Sequence, residues 1–285
     1  MIDIEENILQ FRLDATRDAQ KVSRLAFIIS TIATLAIMLT TWNAYFSWYT
    51  AFPKVEKFPD NEVTEVVQRE LLEQWVESCK ISIPFLGINV GVSDAPVFGS
   101  IGLLIINFWF YVSIRRENHV IGFLLRDAKK EMGPRAREWI YHGIASSLLF
   151  INITRRVEPI MDLDGVYDKK KIGNVIGSAF RILVFLPSVT VLFLIISDIL
   201  TIYMISASYR FPHYPLLEHI EIGDAIKVSI MDGLAFFLLF LIIVLSFKIL
   251  YFIKATANIM VEFSDDFKRE LKNTPIKEQV ENQLK

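Results

Sequence analysis

Four runs of apolar residues, each close to the length needed to cross a bilayer, decide what this chain can fold into. A helix rises about 1.5 Å per residue, so about 20 residues span ~30 Å of hydrocarbon. The runs occupy residues 25–49, 97–114, 182–205 and 233–253. Their centres read LAFIISTIATLAIML, VFGSIGLLIINFWFYVSI, FLPSVTVLFLIISDILTIYMI and GLAFFLLFLIIVLSFKILYFI. Unpaired backbone groups are expensive in lipid, and these runs are continuous rather than alternating. Helices are therefore expected, and an outer-membrane barrel is excluded. The first run is longer than a signal-peptide core and is followed by TTWNAYFSWY, so an uncleaved anchor is expected.

Composition closes off the other classes. Hydrophobic residues make up 53% of the 285, and 22 are Phe. That is too apolar for disorder, and a single Cys rules out a disulfide scaffold. A net charge of −2 gives no general case for nucleic-acid binding. The expected fold is an all-α integral membrane protein with four transmembrane helices. Cytoplasmic helical extensions, a short outer helix and one small outer hairpin complete it.

Charge sets the expected orientation. Of the 30 Lys and Arg, 22 fall in segments 1–24, 115–181 before Arg181, and 254–285, while only 6 fall in 50–96 and 206–232. The positive-inside rule then places both termini and the long middle loop inside. A bacterial cytoplasmic membrane is the expected location. Trp42, Tyr45, Trp48 and Tyr49 would form the outer aromatic belt, with Trp109 and Tyr111 at the inner end of the second run.

The segments outside the runs have helical spacing of their own. Residues 1–24 place Ile4, Ile8, Phe11, Ala15 and Val22 on one expected apolar face, continued by Leu25, and the tail places Ile259, Phe263, Phe267 and Leu271 four apart. Packing between these extensions, or a contact with a protein partner, would bury such faces. Residues 61–79 read as an acidic amphipathic helix, and ISIPFLGINVGVSDAP as a hairpin or a surface loop. The middle loop reads as two helices broken at Gly133-Pro134. Its basic residues Arg115, Arg116, Arg135, Arg137, Lys169, Lys170 and Lys171 are candidates for contact with anionic inner-leaflet lipid.

Chemistry-bearing residues are sparse. Asp198 lies inside the third run, where an ionisable side chain is costly and faces the bundle or water. It reads as an ion or proton site, as a hydrogen bond to a neighbouring helix with Asn107 or a hydroxyl as partner, or, if the span ends early, as a group near the interface. Asn107, alone among Ile, Phe and Trp, reads as a bond between helices. Pro187 should interrupt its helix, with Ser188 and Thr190 placed to satisfy the freed backbone. Small residues Ala26, Ser30, Ala33 and Ala36, with Gly99, Ser100 and Gly102, should allow close helix approach, within one chain or in a homo-oligomer. His213, Glu218, His219 and Glu221 match no zinc spacing, and Asp162, Asp164 and Asp168 do not make a calcium loop. No metal and no cofactor is expected.

No nucleotide-binding, hydrolase or redox motif occurs, so no enzyme is expected. The first functional expectation is a membrane-anchored accessory, sensor or effector component working through protein contacts. The alternative is a homo-oligomeric ion channel or small transporter that uses Asp198, with Asn107 and Pro187 on the path. A membrane enzyme acting on lipid would need polar residues clustered at one interface.

Overall fold

The computed structural model describes residues 2–56, 80–83, 88–91, 95–145, 182–208 and 222–273. The expected acidic helix at 61–79, Cys79, the lysines at 169–171, and the histidines and acids of 213–221 lie outside the described residues, as do the acids of 162–168.

Five helices and one strand pair are described: α1 (Ile2–Glu56), β1 (Lys80–Ile83), β2 (Ile88–Gly91), α2 (Ala95–Glu131), α3 (Pro134–Ala145), α4 (Leu186–Ser208) and α5 (Ile222–Asn273). The strands pair antiparallel, Lys80 opposite Gly91 and Ile83 opposite Ile88. Among the described residues three helices, α1, α2 and α5, are long and apolar enough to cross a membrane, and α4 carries a shorter apolar stretch.

The helices are longer than the apolar runs that seed them. Nothing breaks the helix between residues 24 and 25 or between 114 and 115, so the expected cytoplasmic helices are continuous with the apolar ones. Likewise α5 begins at Ile222, inside the segment 206–232 expected as a loop. The break at Gly133-Pro134 does occur. Pro134 opens α3, where its missing N–H costs nothing, and the Gly133 carbonyl accepts from the Arg137 N–H at 3.1 Å. Lys129 and Lys130 in the last turn of α2 suit the negative end of its dipole.

The chain divides into two compact units. The first comprises Met1–Ile28, Phe108–Val184 and Leu245–Lys285. One of its clusters joins Ile121, Leu124, Leu125 and Ala128 of α2, Tyr141, Ile144 and Ala145 of α3, and Ala257, Met260, Phe263 and Phe267 of α5. Ile259 and Leu271 pack against its edge, so the tail stripe is consumed inside the unit. A second cluster holds Phe27 against Phe110, ring centroids 5.7 Å apart.

The packing face of α1 differs from the expected one. Phe11 is 74% exposed and Leu25 is also exposed, while Thr16, Ala19, Gln20 and Ser23 are buried. Short side chains let α1 come close to its neighbours, and hydroxyls satisfy themselves on the preceding turn. Thr16 Oγ1 donates to the Arg12 carbonyl at 2.8 Å.

The second unit comprises Ile29–Asn107 and Phe185–Val244. Its core is Val97 and Leu103 of α2, Val191 and Ile195 of α4, and Ala235, Leu239 and Ile242 of α5, with Ile37 of α1 at the edge. Ile32, Leu39, Phe98, Ile105, Phe237 and Phe240 face outward. Thr34, Thr41, Ser100, Asn107, Ser188, Thr190, Ser197 and Asp198 are buried. An apolar exterior around a partly polar interior is the arrangement a bilayer selects.

Close approach holds at only some of the small residues. A Cβ on Gly99 would lie 2.8 Å from Leu194 Cδ1, whereas one on Gly102 would meet nothing within 4 Å. Ala36 is exposed. Gly99→Leu is therefore expected to destabilise the second unit by about 1–3 kcal/mol through overpacking. Gly102→Leu should be near neutral, and thermal unfolding of both variants in detergent checks the contrast.

Candidate functional site

Asp198 sits on the inward face of α4. Val191, Leu194 and Ile195 lie seven, four and three residues before it, and all three are buried, so helical periodicity turns Asp198 inward too. It is 4% exposed. The carboxyl of Asp232 on α5 lies close enough to interact with it. A second carboxyl is thus among its neighbours, a group that the sequence did not suggest. Asp232 stands three residues before Ala235 and seven before Leu239, at the head of the buried face of α5.

Two carboxylates have no hydrogen to share. A hydrogen bond between them requires a proton on one, whose O–H donates to the other. Two carboxyls suit a proton, or one small monovalent cation in its place. A divalent ion asks for more oxygens, and among the described residues no three His, Cys, Asp or Glu come together.

Asn107 is fully buried, and its Nδ2 donates to the Ile242 carbonyl at 3.3 Å, joining α2 to α5. Pro187 lies in the first turn of α4, just past an interruption at Phe185. The expected role of Ser188 and Thr190 at that break is not what is found. The carbonyl that Pro187 cannot serve is that of Leu183, four residues before it; next to it, the Val184 carbonyl accepts from Ser246 Oγ on α5 at 3.2 Å. The Ser188 and Thr190 hydroxyls are buried with no hydrogen-bond partner among the described residues. They are polar groups left for something else to satisfy.

The basic candidates separate. Arg115, Arg116 and Arg135 are exposed. Arg137 is turned inward: its Nη1 and Nη2 donate to Glu270 at 3.1 and 2.6 Å, and its Nε to the Met132 carbonyl at 2.8 Å. It ties α3 to α5 and has nothing to offer a lipid headgroup. The reason is periodic: Arg137, Tyr141 and Ile144 share the buried face of α3, while Arg135 and Trp139, the latter 80% exposed, share the outer one.

Besides Asp232, another acidic residue escapes sequence reading. Glu117 follows Arg115 and Arg116, beyond the apolar run of α2, where a solvated charge is the ordinary expectation. It is 7% exposed in the first unit and hydrogen-bonded to Ser23 of α1. Burial pushes its carboxyl up to about 7, against the opposing pull of Ser23 and of the Arg24 charge. The signal was available: Phe110, Ile114, Glu117, Ile121 and Leu124 follow one another at steps of three and four. Nearby, Asn118 Nδ2 donates to Thr256 Oγ1 at 2.8 Å.

Comparison of the chain with protein-family models, curated proteins and solved structures gives no match.

Proposed function

We propose that this is a four-span membrane protein, with both termini on the positively charged inner side, that handles protons or small monovalent cations through the Asp198–Asp232 pair. The class is a channel or small transporter rather than an enzyme. The observation that carries this reading is the pair of neighbouring carboxyls, with Asp198 buried inside the apolar-sheathed second unit. Ionisable groups at such positions are costly to keep and mark ion or proton paths. The buried, unpartnered hydroxyls of Ser188 and Thr190 on the same helix add support, since they are oxygen ligands of the kind a passing ion or water needs.

The alternative, an accessory component acting through cytoplasmic helices, loses its first motive. The tail stripe that would meet a partner is buried against α2 and α3. Inner-leaflet lipid contact remains in the reading at Arg115, Arg116 and Arg135, with Trp139 one turn after Arg135 on the outer face of α3.

The test is flux. Liposomes holding the purified chain and a pH-sensitive dye are challenged with a proton gradient, then with sodium and potassium gradients. Asp198→Asn and Asp232→Asn are each expected to fall to the level of protein-free liposomes while keeping wild-type helix content and elution volume. Flux equal to wild type in both folded variants would sink the role of the pair.

A further inference from the structure

We propose that Ser23 and Glu117 form a second proton-binding site, in the first unit, in which the serine hydroxyl reverses its direction of donation as the carboxyl gains or loses its proton. This does not rest on the ion-handling reading of Asp198.

The argument is one of hydrogen counting. Ser23 Oγ stands within hydrogen-bonding reach of the Ala19 carbonyl at 2.9 Å, the Gln20 carbonyl at 3.3 Å, and Glu117 Oε2. A hydroxyl has one hydrogen and two acceptor sites. With Glu117 ionised, that hydrogen goes to the carboxylate, and the carbonyl of Ala19 loses its extra donor. With Glu117 protonated, its own O–H donates to Ser23 Oγ, and the serine hydrogen turns back to Ala19 or Gln20. The serine hydroxyl and the carboxyl oxygen it faces are hydrogen-bonded in either state, so the pair can take up or release one proton without stranding either of them. The protonated state has one more hydrogen bond and no buried charge. The ionised state is favoured by the stronger charge-assisted bond from Ser23 and by Arg24. The opposing effects hold the carboxyl near neutrality.

Among the described residues, few charged groups face it. From α1, Arg24 is the charged group that faces Glu117. From α5, the neighbouring buried residues Ile249, Ile253 and Thr256 are uncharged, and Lys254 is exposed. On α2 itself Arg115, Arg116 and His119 are exposed.

The experiment is infrared difference spectroscopy of the whole chain in nanodiscs, titrated from about pH 5 to about pH 9. A protonated-carboxyl band is expected to disappear with a midpoint of about 7. It should be absent in Glu117→Gln and still present in Asp198→Asn. Ser23→Ala should move the midpoint upward, because the ionised state loses its direct donor. A band that survives Glu117→Gln, or that vanishes in Asp198→Asn, would overturn the assignment to Glu117. A midpoint unmoved by Ser23→Ala would overturn the hydroxyl's part in it.

Discussion

Truncating Phe267 to alanine is expected to destabilise the first unit by about 3–5 kcal/mol, the range for removing a buried aromatic ring from a packed core. Phe267 is 1% exposed. Its ring lies 5.7 Å from that of Tyr141 on α3 and 6.0 Å from that of Phe263, one turn earlier on α5. Its neighbours cannot collapse into the space, because each is held elsewhere. Tyr141 is fixed by α3, which Arg137 clamps to Glu270, and the α2 side is tied by the ion pair between Lys129 and Asp266. The lost ring therefore leaves a cavity as well as losing its transfer free energy. Phe11→Ala removes the same ring from an exposed position and should stay within ~0.5 kcal/mol. Denaturant unfolding in mild detergent, followed by tryptophan fluorescence, compares the two. Equal effects would mean that the tail of α5 does not dock as described.

That docking shows how far the sequence could be read and where it stopped. The apolar runs mark helices because lipid-length hydrophobicity is a property of composition over many residues, which survives any error in detail. The tail stripe at Phe263 and Phe267 is legible for the same reason: two large rings one turn apart are a strong periodic signal. Faces made of small and polar residues carry no such signal. The buried side of α1, with Thr16, Ala19, Gln20 and Ser23, looks in sequence like a solvated one, and Phe11 looks like the core residue it is not.

Asp198 was conspicuous because it interrupts an apolar run. Asp232 was not, because it stands at the edge of one, where a carboxylate in water costs nothing and needs no explanation. Only the pairing of α4 with α5 turns the second acid toward the first, and pairing between helices far apart in the chain is not written in either of them. Pro187 gives the complementary case. Its disruption of the backbone is predictable from the ring alone, but the side-chain donor found next to that break, at the Val184 carbonyl, comes from Ser246, on another helix. The local hydroxyls of Ser188 and Thr190 have no partner among the described residues.

Stability of the first unit is expected to fall as pH rises through the neutral range, by about 3 kcal/mol in all. The cause is Glu117, whose ordinary value of 4.5 is raised to about 7 by burial. The sign follows from proton counting. Between these two values the folded state keeps a proton that the unfolded chain has released, so each step up in pH favours unfolding. The contribution is fully present below about 4.5, is lost progressively up to about 7, and changes no further above that. Asp266 acts in the opposite sense but elsewhere. Its hydrogen bond to Lys129 holds it below its ordinary 3.8, so its contribution is present above that value and is lost only in stronger acid. The window from about 4.5 to about 7 therefore separates Glu117 from Asp266. Thermal unfolding at about pH 5 and about pH 8 should give the higher midpoint in acid for the wild-type chain. Glu117→Gln, which has no proton to lose, should give one midpoint at both. A wild-type midpoint that rises toward alkaline pH, or a slope that Glu117→Gln leaves intact, would show that the buried carboxyl is not what sets the response.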